Sequence, residues 1–237
     1  FDDADVDAAV DGAVAGGLIN SGQDCTAATR AIVHRSIYAE FVEKLSARFS
    51  AIRLGLQDDA DADLGSLVSF KHRDHVSGMV ERARSYATVA AGGAIPTDGV
   101  LASGAFYPPT LIVDAPADSE IVKDEVVGPA MVVLPFDDDD EAIRLAKDTI
   151  YGLAASAWTS NLNRALRATR EISAGCVWVN DHIPIMSEMP HGGFKQSGFG
   201  KDMSMYSFEE YTQVKHVVFD LTGTAQKDWH RTIFKIR

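Results

Sequence analysis

The sequence has little cysteine, few basic residues and no long apolar run. Only two of its 237 residues are cysteine, Cys25 and Cys176, and no basic-then-apolar signal opens the chain, so we expect a cytoplasmic location. The longest apolar runs, such as Ala130–Phe136, fall far short of the roughly 18 residues that a membrane-spanning helix needs. Lysine and arginine total 22 against 34 aspartates and glutamates, a net charge of −12. We therefore expect neither a membrane nor a nucleic acid as partner.

Two site patterns are incomplete in this sequence. His72 and His75 have a spacing that suits metal chelation on a helix face, but no third ligand is evident, so we expect a solvated polar face and no metal. The glycine-rich stretch 193–200 resembles a phosphate-binding loop, yet Phe199 follows Gly198 where such a loop requires lysine. The sequence therefore predicts neither a metal centre nor a nucleotide P-loop.

Length and periodicity predict a globular α/β protein. With 46% hydrophobic and 24% charged residues, the 237-residue chain suits one large domain or two small ones. The first half favours helices at 4–16, 37–53 and 70–90, with a strand at 30–34. Beyond Gly92, strands and helices alternate; the strands are 111–113, 130–136, 154–159 and 176–180, and the helices 139–147 and 162–172. This order predicts a largely parallel sheet flanked by helices.

The last fifth of the chain has a different character. Residues 184–200 form a long irregular segment rich in glycine and proline, which compact domains usually keep for function. Residues 213–221 (QVKHVVFDL) alternate in a way that predicts a late edge strand paired with another chain. A polar tail, 222–237, follows.

The two cysteines stand in different chemical contexts. Cys25 lies in SGQDCTAATR, among polar and small residues, whereas Cys176 lies in AGCVWVN, an apolar strand context. A cysteine at a backbone turn can act as a thiolate nucleophile, and nearby N–H groups can hold the oxyanion formed when it attacks a carbonyl. A buried inert thiol is the alternative, because cysteine is among the most buried residue types. Cys25 is therefore the candidate nucleophile.

Three segments resemble the aldehyde dehydrogenase superfamily in their order and spacing: GQDCTAATR at 22–30, EVVGPAMVVLPF at 125–136 and PHGGFKQSGFGKD at 190–202. YPPTLI at 107–112 and GLAASAWT at 152–159 resemble it as well. The resemblance covers the chain from end to end. Within the superfamily, residues 178–212 are most similar to the aminobutyraldehyde dehydrogenases, which oxidise short ω-amino aldehydes arising in polyamine (putrescine) breakdown.

The resemblance implies an α/β fold, with a catalytic thiol domain at 1–206 and an oligomerisation strand with the C-terminal tail at 207–237. It also implies that the cofactor domain, the general-base glutamate of an ELGGK-like motif and the oxyanion-hole asparagine lie upstream of Phe1. NAD or NADP would then be bound mainly by residues outside this chain. We expect a homodimer or homotetramer, and no activity from the 237 residues alone.

The resemblance also assigns roles to individual residues. It places the nucleophile at Cys25 and puts Glu125 on the nicotinamide ribose. In the family mechanism the thiolate adds to the aldehyde, hydride passes to NAD, and water hydrolyses the thioester. The candidate substrate-binding residues are carboxylates that would receive an ammonium group and aromatic side chains that would form walls: Asp24, Asp181, Glu188, Trp158 and His191. Capping of a turn is the alternative role for Asp24.

Two other functions stay open at this point. The first is a cofactor-less acyl-transfer or esterase-like protein that uses the Cys25 thiol and backbone N–H groups. The second is a non-catalytic partner that contributes an oligomerisation edge through residues 213–221. A glycine-rich dinucleotide loop in the sequence encoded upstream would favour the dehydrogenase over both.

Overall fold

A four-stranded sheet lies at the centre of this computed structural model, which describes residues 1–224 and 226–233. The strands, in their order across the sheet, are β1 (Arg30–His34), β4 (Ala130–Phe136), β3 (Thr110–Val113) and β2 (Thr88–Ala91). Strands β1 and β3 both pair with β4 in parallel, and β2 pairs with β3 antiparallel. A second, parallel pair consists of β5 (Ala154–Ala157) and β6 (Cys176–Val179). The predicted, largely parallel sheet is confirmed.

Helices cover both faces of the four-stranded sheet. Their bounds are α1 Val6–Leu18, α2 Arg35–Ala51, α3 Phe70–Ala83, α4 Glu120–Lys123, α5 Asp139–Lys147, α6 Leu162–Glu171, α7 Ser204–Glu210 and α8 Asp228–Ile233. Helices α1 and α2 pack on one face, and α3 and α4 pack on the other. The result is a helix–sheet–helix arrangement with the core on both sides of the strands.

Strand β4 shows how sequence produces this layering. Met131 and Val133 belong to the apolar cluster under α1 and α2, whereas Val132 and Leu134 belong to the cluster under α3 and α4. Successive side chains of a strand point to opposite faces, so a strand covered on both sides is apolar throughout. Each such side chain contributes about 1.5–3 kcal/mol by its burial.

The predicted helices agree with the structure where their apolar stripe or their cap is clear. Phe41, Leu45 and Phe49 are the buried residues of α2, on one stripe, as predicted. The acidic run at 137–141 is the N-terminus of α5, where the Asp138 side chain accepts the Glu141 N–H. Carboxylates stabilise this end of a helix, and the run requires no metal.

Two boundary predictions were wrong. The helix predicted at 70–90 ends at Ala83, and Thr88–Ala91 is strand β2, which pairs with β3. The first helix, predicted to end at Gly16, continues to Leu18, so that Gly16 and Gly17 lie inside α1. A Cβ on Gly16 would lie 2.6 Å from the His182 ring, and one on Gly17 would lie 2.6 Å from the Met131 methyl group. These glycines permit close packing and do not terminate the helix.

The C-terminal segment differs from its prediction in part. Residues 213–221 are exposed and make no strand pairing within the part of the chain described. A strand here needs a partner outside these residues, so pairing with another subunit stays a prediction. Helices α7 and α8, which were not predicted, precede and follow this segment in the chain. Residues 225 and 234–237 of the predicted tail lie outside the described residues.

In the described residues, no helix combines the length and the apolar character needed to cross a membrane.

Candidate active site

Three separate segments meet at one cavity of about 330 Å³. Asp24 and Cys25 come from the turn before β1, and Glu125 comes from the loop between α4 and β4. Gln196 and Ser197 reach the cavity from the glycine-rich segment near the C-terminus. These are the segments at 22–30, 125–136 and 190–202 that carry the sequence resemblance. Residues far apart in the chain are thus brought to a single site.

Glycine permits the first two segments to approach each other. Gly22 has φ 70°, and a Cβ at this position would overlap the carbonyl of Gly128. A residue with a side chain is therefore disfavoured at Gly22 both by its left-handed backbone and by lack of space. Val127 in the facing loop also has a left-handed backbone, with φ 53°. The close contact of these loops places Cys25 and Glu125 on the same cavity.

Asp24 holds the turn that carries Cys25. Its Oδ1 accepts the backbone N–H of Thr26 at 2.7 Å and the Thr26 hydroxyl at 2.5 Å. The N–H of Ala27 donates to the Asp24 carbonyl at 3.1 Å. The structure thus gives Asp24 the turn-capping role that the sequence offered as its alternative.

Cys25 is exposed, but its surroundings do not favour the thiolate. Partial burial raises the pKa of Cys25 above its ordinary value, and the negative charge of Asp24 raises it further. The Cys25 N–H acts in the opposite direction, and Asp202 and Glu125 add smaller increases to the pKa. The negative charges near Cys25 therefore oppose formation of its thiolate.

Cys176 occupies a different environment. It is half-buried, begins β6 and donates its N–H to the Leu153 carbonyl at 3.0 Å. Burial raises the pKa of this thiol too. Cys176 does not line the cavity that contains Cys25.

Hydrogen bonds connect the glycine-rich segment at 190–202 to the C-terminal end of α5. The Lys195 ammonium group donates to the carbonyls of Lys147 and Thr149 at 2.9 and 3.0 Å. The Ser197 hydroxyl accepts the N–H of Gly152 at 3.0 Å. A cation at the C-terminus of a helix stabilises the unpaired carbonyls there. These contacts hold the segment against the cavity.

The other predicted substrate residues lie away from the cavity lining. Asp181 and Glu188 are exposed, and Asp181 accepts the N–H of the next residue at 2.8 Å. Trp158, predicted to form a tunnel wall, packs against Gly12 of α1 and lines a separate cavity of about 240 Å³ between β1 and β5. In this structure Trp158 is therefore a packing residue, with its ring against a helix.

His191 forms a pair with Asp202 that sequence reasoning missed. Its Nδ1 lies 2.8 Å from the Asp202 carboxylate, and the two backbones exchange N–H···O bonds of 3.0 and 2.9 Å. A carboxylate only accepts, so Nδ1 is the donor in this pair. The Nε2 atom of His191 is buried and has no hydrogen-bond partner among the described residues. Nothing in the sequence pattern links these residues, since pairing across a loop has no periodicity.

The histidine pair on α3 forms contacts of another kind. His72 Nε2 donates to the Val127 carbonyl at 2.5 Å, and the His72 and His75 rings stack with centroids 6.0 Å apart. Over residues 1–224 and 226–233 no group of three or more metal-ligating side chains is found.

Comparison with known proteins agrees with the residue pattern. The profile of the aldehyde dehydrogenase family matches residues 1–217. The chain is similar to a betaine aldehyde dehydrogenase from Staphylococcus aureus in complex with NAD+, with 37% identity and a TM-score of 0.89 over 95% of this chain and 46% of that chain.

Two further structures are similar to the same extent. A point mutant of the Staphylococcus aureus enzyme, with NAD+ and a BME-modified cysteine, has 38% identity and a TM-score of 0.89 over 92% of this chain and 44% of that one. A mutant aldehyde dehydrogenase from Bacillus cereus has 39% identity and a TM-score of 0.86 over 90% and 43%. The chain thus spans less than half the length of these proteins. On its family match and its fold, the chain belongs to the aldehyde dehydrogenase family.

Proposed function

We propose that the protein is the catalytic part of an NAD(P)-dependent aldehyde dehydrogenase that oxidises an aldehyde to the carboxylic acid through Cys25. The observation that carries the proposal is the convergence of three segments on one cavity, with exposed Cys25 beside Glu125. A cavity of about 330 Å³ has the size of a small-ligand site. The NAD+ complexes of the Staphylococcus aureus enzyme support the choice of cofactor.

The proposed chemistry takes place on the Cys25 sulfur. The thiol gives up its proton as its sulfur bonds to the aldehyde carbon, and the carbonyl oxygen becomes the hydroxyl of a thiohemiacetal. Loss of a hydride from that carbon and of the hydroxyl proton leaves a thioester on Cys25. Water then attacks the thioester, the carbon–sulfur bond breaks, and the acid and the free thiol are released. Because the pKa of Cys25 is raised, a base must accept the first proton.

One residue of the cavity, Glu125, suits the binding of a dinucleotide. Glu125 is an exposed carboxylate on the cavity that contains Cys25, and such a group accepts hydrogen bonds from two ribose hydroxyls. We propose Glu125 as the ribose contact, with the rest of the cofactor bound by residues outside this chain. A nicotinamide cofactor, when bound, accepts the hydride from the substrate carbon. Either NAD or NADP is compatible with a carboxylate at this position.

The proposed substrate is a short ω-amino aldehyde such as 4-aminobutanal. The similarity of residues 178–212 to the aminobutyraldehyde dehydrogenases supports this. Asp181 and Glu188 add exposed negative charge on the same segment. Burial of an ammonium group costs several kcal/mol unless such groups receive it.

We also propose that the protein assembles as a homodimer or homotetramer through the segment 207–237. Val214, Phe219 and Leu221 are 96%, 79% and 90% exposed in the single chain. Apolar side chains exposed along one stretch are typical of an interaction surface. Residues 1–206 would form the catalytic domain, and the cytoplasm remains the expected location.

The test compares the 237-residue chain with a version that includes any sequence encoded on either side. We expect the longer version to form NADH or NADPH from 4-aminobutanal and the 237-residue chain to form none. Ester hydrolysis by both forms at equal rates, with no reduced cofactor from either, would favour the thiol acyl-transfer function. Activity in neither assay would leave the oligomerisation role as the better account.

A further inference from the structure

His182, which does not line the cavity of Cys25, connects the Cys25 turn to β5. The Nε2 atom of His182 lies 2.8 Å from the carbonyl oxygen of Thr26, and its Nδ1 lies 2.9 Å from the hydroxyl of Ser156. Thr26 directly follows Cys25 and is only 2% exposed. One imidazole ring thus joins a strand to the residue next to the candidate nucleophile.

These two contacts assign the proton on the ring. A carbonyl only accepts, so Nε2 donates to Thr26, and Nδ1 accepts the Ser156 hydroxyl. Burial lowers the pKa of His182, against opposing effects of the Thr26 carbonyl and the Asp181 and Asp24 carboxylates. The ring is therefore neutral near pH 7, and both of its nitrogens are used.

The surroundings of His182 fix the position of its ring. The Trp178 ring lies against it at a centroid distance of 4.9 Å, and the missing side chain of Gly16 leaves room for it beside α1. Asn180 exchanges two hydrogen bonds of 2.9 Å with the backbone of Thr159, and these hold the start of the loop. Its two hydrogen bonds and the contact with Trp178 thus hold the imidazole in place.

The backbone adopts a left-handed conformation on both sides of His182. Asn180 has φ 53° and Ile183 has φ 82°. A β-branched residue such as isoleucine rarely adopts a left-handed backbone, and strain of this kind persists only where the surrounding structure determines it. The two bends turn the chain so that His182 points back to the Cys25 turn.

We propose that His182 is a positioning residue that fixes the Thr26 carbonyl and thereby holds the turn that presents the Cys25 thiol to the cavity. It acts through Thr26 and contacts neither substrate nor cofactor in the proposed function. The inference rests on that function to the extent that Cys25 is the nucleophile.

A loosened turn has a measurable consequence at the thiol. The N–H of Cys25 lowers its pKa against the increases caused by burial, Asp24, Asp202 and Glu125. If the turn becomes mobile, this N–H contact weakens and the pKa of Cys25 rises further. The thiolate fraction near neutral pH then falls, and so does the rate of reaction with an uncharged alkylating reagent.

The test measures Cys25 alkylation by iodoacetamide against pH in the 237-residue chain, without cofactor or aldehyde. We expect His182→Phe, which keeps a ring and removes both hydrogen bonds, to slow the reaction near neutral pH about threefold, equivalent to half a pKa unit. His182→Gln retains a donor that reaches Thr26 and should restore most of the rate. A rate unchanged in His182→Phe, or lowered equally in His182→Gln, would overturn the proposal.

Controls separate positioning from general loosening and from a wrong nucleophile. His34→Phe makes the same change at the far end of β1, where the ring bonds Ser36, and should leave the Cys25 rate unchanged. If His182→Phe fails to fold, Ser156→Ala releases the ring from β5 and should give a smaller change in the same direction; no change would count against the proposal. If wild-type Cys25 reacts no faster than Cys176, the proposed function fails instead.

Discussion

The two cysteines of this chain share a raised pKa and differ in almost everything else. Cys25 lies in an exposed turn that Asp24 caps, on a cavity shared with Glu125. Cys176 is half-buried in β6, and its N–H takes part in strand pairing. Burial is the largest cause of the raised pKa in both cases.

The two cysteines show that the exposure of a thiol and its tendency to ionise are separate properties. Cys25 differs from Cys176 in its exposure and in its position on a cavity. Easier ionisation does not distinguish it, because acidic neighbours oppose the ionisation of Cys25. In the proposed function, a base that accepts the thiol proton would have to come from outside the residues that surround Cys25 here. We therefore expect large effects where the Cys25 sulfur or its turn is altered and small effects where a single charge is altered.

The largest effect should come from removal of the sulfur. In the longer version of the protein, Cys25→Ser should lower kcat for aldehyde oxidation at least about 10³-fold, because the alcohol is a much weaker nucleophile than the thiol. Cys176→Ser should remain within about twofold of wild type. Steady-state kinetics of both variants check this, and equal losses would remove the distinction between the two cysteines.

A backbone change next to the Cys25 turn should give the next effect. Gly22→Ala forces a side chain into a left-handed position against the Gly128 carbonyl, so the free energy of unfolding should fall by about 2–4 kcal/mol. Gly65→Ala is the matched control, since a Cβ there would meet nothing within 4 Å. Urea denaturation measures both. Equal stability of the two variants would mean that the loops do not meet as described.

Removal of one negative charge should raise the reactivity of Cys25 alone. Asp24→Asn keeps an oxygen that accepts the Thr26 N–H but loses the charge that raises the pKa of Cys25. The lowered pKa increases the thiolate fraction near neutral pH, so alkylation should become about two- to threefold faster. Cys176 in the same sample is the control. A slower reaction at Cys25 would show that the turn, and not the charge, dominates.

The smallest effect concerns the substrate. Asp181→Asn or Glu188→Gln should raise KM for 4-aminobutanal about two- to fivefold with little change in kcat, since exposed charge pairs contribute about 0.2–1 kcal/mol. KM for butanal, which has no ammonium group, should not change. Asp58→Asn, at another exposed carboxylate, is the matched control. If neither variant distinguishes the two aldehydes, these carboxylates do not receive the amine.

The parts of the fold that follow from local pattern were predictable. Strand β4 matches its predicted bounds because both its faces are buried, and α5 matches because acidic residues mark its start. Strand β2 was missed because its alanine-rich sequence continues the helical pattern of α3, and only pairing with the distant β3 makes it a strand. Long-range pairing overrides local preference here.

The residues of the site were likewise predictable in part. The motif residues Asp24, Cys25 and Glu125 were found from the sequence, and the structure places them on one cavity. His182 and Asp202 were not found, since each is linked to the site only by a contact that folding creates: His182 with Thr26, and Asp202 with His191. Such contacts are determined by tertiary packing and have no spacing rule.

Competitive alkylation of the native chain shows which of the two cysteines is the reactive thiol. A slow, uncharged reagent applied below the thiol pKa, with each adduct mapped by mass spectrometry over time, gives the rates at Cys25 and Cys176 in one sample. We expect Cys25 to react at least about tenfold faster, because it is exposed on the cavity and Cys176 is held in a strand. Preferential labelling of Cys176 would contradict the assignment of Cys25 as the nucleophile.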